Sequence, residues 1–325
     1  MIEKEDAKRC IHCMQCTKNC LFLKKYQMDL LKFSETPSLA FSCFLCGKCK
    51  AVCPKDIDGA LISLQMRCEA VEKTGGKIED KAYRGLIWEK NSYKFSNYQK
   101  GKKKSVLFPG CNFPSFFPKT MKIIEELMKD KEIGVVYDCC RKPIYELGMV
   151  EESTKAIKKM EEKLKEQKVE RLIMLCPNCY HFLKDKIDIP IVTIYEILRE
   201  MGIGKPIERE EIPIYYPCPD REGREIFKEI LPFLSGEVKE DFQDLQCCGL
   251  GGCAALKEQE LAVQMARSPI EKEKEMYTYC ASCISNFRRK GFAQSYHVLP
   301  LIMGVDEEIP SGILPLWNRA KHKLI

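Results

Sequence analysis

From residue 105 onward, short apolar runs alternate with longer charged stretches whose apolar residues recur at a helical period. The runs 105–109, 133–137, 171–175 and 191–194 are short enough for strands, and 116–129 and 151–167 carry the amphipathic pattern of helices. The order then repeats. Apolar runs at 212–216, 238–242 (weak), 275–279 and 295–302 are separated by helical stretches at 222–231 and 258–267. The second half therefore duplicates the first at a period of about 105 residues. Alternating strands and helices predict parallel α/β sheets with right-handed crossovers. The first 70 residues differ: 21–33 and 60–67 fit a helical period, which predicts a mostly helical unit. Residues 71–104 read as a linker, with Gly75-Gly76 and with Trp88, Tyr93, Phe95 and Tyr98 able to pack on a neighbouring domain. The expected architecture is α+β overall: a helical domain at 1–70, a linker at 71–104, and α/β repeats at 105–204 and 205–325.

Composition narrows the chemistry. The chain has 325 residues and 45% hydrophobic content, enough for two or three domains with real cores. Its 20 cysteines could mean a secreted disulfide scaffold, but the opening Met1 to Asp6 carries no apolar signal segment, so the expected setting is cytoplasmic. Cysteines in such a chain point to metal ligation. No apolar run is long enough to span a bilayer, so any membrane association is expected through a partner. A net charge of +6 from 53 basic and 47 acidic residues is slight. Lys102, Lys103 and Lys104 form a basic run that reads as a solvated linker end, and no aromatic-interleaved basic stripe suggests nucleic acid.

The N-terminal cysteines carry the strongest motif. Cys10, Cys13, Cys16 and Cys20 follow the spacing C-x2-C-x2-C-x3-C, and Cys43, Cys46, Cys49 and Cys53 repeat it 33 residues on, followed by Pro54. Two-residue gaps in a tight turn bring three sulfurs to one iron–sulfur cubane, and a helix carries the fourth to a second cluster. The pairing expected is Cys10, Cys13, Cys16 and Cys53 on one [4Fe–4S] cluster, with Cys43, Cys46, Cys49 and Cys20 on the other. A pair of structural zinc sites is the rival, disfavoured because zinc uses pairs of C-x2-C.

Each α/β repeat adds five cysteines, all following strands. Cys111, Cys139, Cys140, Cys176 and Cys179 belong to the first, and Cys218, Cys247, Cys248, Cys280 and Cys283 to the second. Open α/β sheets bind ligands beyond the carboxyl ends of their strands, where helix N-termini favour anionic groups. Five sulfurs exceed what a cubane or zinc ion needs, and a Cys-Cys pair on one centre implies a turn and an unusual or bridged cluster.

This C-xn-CCG-xn-CxxC pattern, present twice, resembles the cysteine-rich domains of heterodisulfide reductase catalytic subunits and of the iron–sulfur subunits of glycolate and lactate oxidases. With the ferredoxin-like unit in front, residues 8 to 70 and 105 to 303 are similar to the fused form of that reductase. The resemblance implies two cubanes in the first unit and noncubane [4Fe–4S] clusters in the repeats, at which the halves of a disulfide can bind. The second repeat fits with Cys247-Cys248-Gly249. The first reads Cys139-Cys140-Arg141, which leaves a modified cluster, zinc, or an Arg141 that meets an anionic substrate. Gly249, Gly251 and Gly252 are expected to leave room for substrate, and Arg141 to crowd the equivalent place.

The function expected is an iron–sulfur oxidoreductase. Electrons pass from the cubanes to the second repeat, where Cys218, Cys247, Cys248, Cys280 and Cys283 would carry the reaction with a small disulfide or another two-electron acceptor. A redox partner (a flavoprotein, a ferredoxin or a membrane cytochrome subunit) completes the circuit. The alternatives are an electron-transfer subunit of a flavin-dependent 2-hydroxy-acid oxidase and a zinc-binding assembly scaffold. Cys68 and Cys253 belong to no motif. His12, His181, His297 and His322 show no ligand spacing, and His181, two residues past Cys179, is the candidate proton donor. The glycines fit no phosphate loop or dinucleotide fingerprint, so no flavin or nicotinamide is expected on this chain.

Overall fold

The computed structural model describes residues 2–324. It forms two compact units, each discontinuous in sequence. One takes the chain up to Asn91 together with Pro143–Thr154 and Gln243–Lys272; the other takes Ser92–Lys142, Lys155–Phe242 and the chain from Glu273. This differs from four consecutive blocks, and the reason lies in each unit's packing.

In the first unit, helix Gly59–Lys73 starts where the Asp58 carboxylate accepts from Ala60 N–H at 2.8 Å and Leu61 N–H at 3.2 Å. It buries Ile62, Met66, Arg67 and Val71. Val71 packs with Ile144 and Met149, so the first inserted segment joins this core. Arg67 is fully buried and donates only to backbone: Nε to Ala40 O at 3.0 Å, Nη1 to Glu146 O at 2.8 Å and Gly252 O at 2.7 Å, and Nη2 to Cys43 O at 2.7 Å. One guanidinium thus fastens both inserted segments to the N-terminal chain.

The stretch 21–33 is two short helices, Leu21–Lys25 and Leu30–Ser34. Between them Gln27 is left-handed, at φ 49°, and Asp29 caps the second helix through Lys32 N–H at 2.9 Å. The expected linker holds helix Arg84–Asn91, and the first unit's opening stretch ends with it. Trp88 is 65% exposed, whereas Tyr93 is buried edge-on to Phe95 in the second unit.

The second unit carries the parallel sheets. Strands β1 (Ser105–Phe108), β2 (Gly134–Val135), β3 (Arg171–Met174) and β4 (Ile191–Thr193) run in the order β2-β1-β3-β4. β1 and β3 each end in three buried residues, the continuous apolar run of a strand covered on both faces. In the second repeat β5 (Ile207–Pro213) pairs with β6 (Leu234–Lys239), and β7 (Met276–Thr278) with β8 (Ser295–His297). A parallel bridge from Ile214 to Tyr277 links the pairs as β6-β5-β7-β8, the topology of the first repeat. Both repeats share one core, in which Leu107, Tyr137, Ile173 and Ile194 pack with Ile212, Ile214, Tyr277 and Val298. That shared core is why they form one unit rather than two domains.

The expected helix at 116–129 starts earlier, at Phe113–Phe116, and restarts as Pro118–Asp130. Phe117 precedes Pro118, and a residue before proline is pushed out of helical conformation. The helices closing the repeats begin alike: Thr193 Oγ1 accepts from Glu196 N–H at 3.1 Å, and His297 Nδ1 from Leu299 N–H at 3.2 Å. A C-terminal helix, Leu314–Leu324, docks through Asn318 and Arg319 on Ser115.

Candidate iron–sulfur sites

The two N-terminal runs fold the same way. Two residues past the first cysteine the chain turns left-handed, at His12 (φ 54°) and at Leu45 (φ 49°). Four residues past it the chain does so again, at Met14 (φ 59°) and Gly47 (φ 72°). The N–H of His12 points to Cys10 Sγ at 3.4 Å, and that of Leu45 to Cys43 Sγ at 3.5 Å. Met14 and Gly47 then start helices Gln15–Asn19 and Lys48–Ala51, which carry Cys16 and Cys49. Alternating left- and right-handed residues turn successive N–H groups inward, toward where anionic sulfurs gather.

Cys10, Cys13, Cys16 and Cys53 line one cavity with Ile11, Met14, Leu30 and Ile57. Cys20 is extended between two helices and faces the other run. Burial, with the neighbouring Cys46 and Cys43 sulfurs, pushes its thiol well up. Cys49 is likewise pushed up by burial and by Cys43, Cys20 and Cys46. Burial raises Cys43 to about 11, with the Arg67 guanidinium opposing it. Four buried sulfurs that resist ionising need a multivalent cation among them to exist as thiolates. The donor sets therefore fit iron–sulfur clusters.

In the first repeat all five cysteines sit in the second unit, after β1, β2 and β3. Cys139, Cys140 and Cys179 are buried, and Cys111 and Cys176 half-buried. Hydrogen bonds from Cys139 and Cys179 lower Cys140 to about 5. Cys179 also donates to Cys176, lowering it against burial. A Cβ on Gly110 would stand 3.0 Å from Cys179 Sγ, so this glycine lets the β1 turn close on the sulfurs.

The second repeat's cysteines are divided. Cys218, Cys280 and Cys283 lie in the second unit, Cys247 and Cys248 in the first. Within the second unit the two C-x2-C turns meet. Asn178 Nδ2 points to Cys280 Sγ at 3.7 Å, and Asn112 Nδ2 donates to Ser282 Oγ at 2.6 Å. The Tyr195 hydroxyl is pushed well up by burial and by the Cys280 and Cys176 sulfurs.

Arg141 does not crowd the cysteines. It lies at φ 66°, 6% exposed, and sends its guanidinium to Asp138 Oδ1 and Cys139 O, both at 2.8 Å, within 5.9 Å of the Tyr93 ring. Nor do the glycines of the second repeat leave room for substrate. An added Cβ would stand 2.5 Å from Ala262 O at Gly249, 2.1 Å from Phe44 O at Gly251 and 2.7 Å from Cys43 O at Gly252. They permit backbone contact inside the first unit, between the Cys247-Cys248 turn and the Cys43 turn.

Gln246 had no motif to single it out, yet its Nε2 lies 3.4 Å from Cys20 Sγ and 3.8 Å from Cys46 Sγ. His181 Nε2 pairs at 2.8 Å with Asp220, whose other oxygen accepts from Tyr279 Oη at 2.6 Å. Burial works against the Asp220 carboxylate, but His181, Tyr279 and Ile226 N–H outweigh it and hold its pKa low. His12 pairs with Asp29 at 2.6 Å, His322 stacks on Tyr137, and His297 is buried against Phe113 and Phe117. Cys68 is half-buried inside helix Gly59–Lys73 rather than at its end, and Cys253 is left-handed in the turn after Gly252. Among the described residues no helix is long and apolar enough to cross a membrane.

Residues 105–184 and 214–288 match the cysteine-rich domain family CCG, so the chain carries that domain twice. An uncharacterized iron–sulfur protein of Methanocaldococcus jannaschii is 24% identical over 77% of this chain and 60% of its own length. Another, from Methanococcus maripaludis, is 24% identical over 75% and 58%. A subunit of the fumarate reductase (CoM/CoB) of Methanothermobacter marburgensis is 20% identical over 84% and 66%. The chain thus spans about three-fifths of the length of these relatives, which are iron–sulfur proteins or a reductase component.

Proposed function

We propose that this chain is an iron–sulfur oxidoreductase component of the heterodisulfide-reductase type. It takes electrons at the N-terminal cysteine sets and passes them to the CCG repeats, for delivery to a disulfide or a similar two-electron acceptor. The observation that carries this reading is the packing of the Cys43 turn on the Cys247–Gly252 turn, backbone against backbone. Two groups of sulfur ligands so joined suit transfer between them. Similarity to a component of a reductase named for CoM/CoB supports the acceptor class. Clusters, when bound, supply the one-electron steps, and the protein sets their ligation, exposure and potential.

The residues divide the work. Cys10, Cys13, Cys16 and Cys53 would hold one cubane, and Cys20, Cys43, Cys46 and Cys49 the other. Cys111, Cys139, Cys140, Cys176 and Cys179 would hold a noncubane cluster or zinc. Cys218, Cys247, Cys248, Cys280 and Cys283 would hold the cluster that meets the acceptor. Reducing a disulfide consumes two electrons and two protons and releases two thiols. His181, oriented by Asp220, is the group we assign to proton delivery. A second reading makes the chain the electron-transfer subunit of a flavin-dependent oxidase, with a redox partner protein acting on substrate. Its likeness to one component of a reductase built from several favours that reading.

Iron counting after anaerobic reconstitution, with electron paramagnetic resonance, tests the first reading. About four centres are expected, because 18 of the 20 cysteines fall into four sets. About eight iron atoms with one or two zinc ions would remove the clusters from the repeats.

A further inference from the structure

The segment that carries Cys247 is pinned on both sides of Gln246. Lys48, in the middle of the second cysteine run, donates to Gln243 O at 2.8 Å, and Arg67 donates to Gly252 O at 2.7 Å. Between these ties the Gln246 side chain, 8% exposed, reaches the sulfurs of Cys20 and Cys46. Its amide can face only one way. The Leu21 N–H donates to Oε1 at 2.7 Å, and an N–H cannot accept, so Nε2 is left to the sulfurs.

We infer that Gln246 is the positioning residue that couples the Cys20/Cys43/Cys46/Cys49 centre to the Cys247-Cys248 turn, raising the potential of the first and bonding it to the second. This rests on the iron–sulfur function above. N–H···S bonds strengthen as negative charge builds on the sulfurs, so they favour the reduced form. Burial enlarges the effect, because the amide dipole is screened little by water. Gln246 is also one peptide bond from Cys247, which gives a continuous path from Cys20 Sγ or Cys46 Sγ through the amide and the backbone. One electron leaves the donor centre along it and one arrives at the acceptor; no proton moves and no bond breaks.

The test is redox titration of the full-length reconstituted chain, followed by electron paramagnetic resonance. Gln246→Leu keeps the bulk and removes the amide. Gln246→Glu keeps an acceptor for Leu21 N–H and replaces the donor with a charge. In both, one cubane should shift to lower potential, further in the Glu variant, while the cubane of Cys10, Cys13, Cys16 and Cys53 stays put as internal control. Electron transfer to the repeat centre, read by rapid freezing, should slow roughly 10- to 100-fold. An unchanged potential in either iron-replete variant overturns the inference. If Gln246→Leu loses its iron, Gln246→Glu alone decides. A wild-type chain with only one cubane would instead defeat the function on which the inference rests.

Discussion

Cys139-Cys140-Arg141 and Cys247-Cys248-Gly249 both end in a left-handed residue, at φ 66° and φ 84°. At Gly249 the position is closed: Ala262 O lies where a Cβ would go. At Arg141 there is room for a long side chain, and its charge neutralises the buried Asp138. Duplication kept the turn and changed what it packs against. A glycine in such a motif can record the nearness of another backbone strand, and need not record a ligand. An arginine there accepts about 1–2 kcal/mol of left-handed strain, offset by a buried ion pair.

Gly249→Arg presses hardest on this contrast. The obstruction is backbone and cannot swing away, so strain and overpacking together should cost about 4 kcal/mol or more. Chemical denaturation and the iron retained by Cys20, Cys43, Cys46 and Cys49 would register it. Arg141→Gly should be milder. Glycine relieves the left-handed strain, but Asp138 is left buried without its cation, for a net loss of about 2–3 kcal/mol. Adding Asp138→Asn should recover most of that loss. Equal damage from the two exchanges would show that the turns are not used differently.

A smaller effect sharpens the comparison at the far end of each repeat, where Thr193 and His297 cap corresponding helices. Burial lowers His297 to about 3. The unfolded chain therefore binds a proton below about pH 6.5 that the folded chain refuses until near pH 3. Stability from this group is intact above pH 6.5 and falls as pH drops between these values. His297→Thr should keep the cap and flatten that part of the pH profile in denaturant titrations. An unaltered profile would mean that other groups set the acid sensitivity.

Much of the fold is legible because it is periodic. The apolar runs at 105–109 and 171–175 and the amphipathic stretch 151–167 fall within a residue or so of β1, β3 and helix Val150–Glu166. The helix break at Phe117 is also written in Pro118, but its signal is outweighed by the surrounding pattern. Unit membership is not legible. Nothing local in Ile144, Met149 or Gln246 says that each belongs with residues near the N-terminus; only packing does. Cysteine spacing yields the ligand candidates. It cannot yield Gln246 or Arg67, whose partners lie up to 226 residues away in sequence.

Arg67 also imposes an order in time. It emerges from the ribosome soon after the two cysteine runs, yet two of its four backbone partners, Glu146 and Gly252, come later. At about 5–20 residues per second, the wait from Cys53 to Glu258, which bonds back to Lys25 and Tyr26, is roughly 10 to 40 s. Through that interval eight cysteines stand without the wall that Gln246 and its neighbours later provide. Biogenesis of this chain therefore calls for a cell that shields nascent thiols from oxygen, or delivers iron only after synthesis is complete.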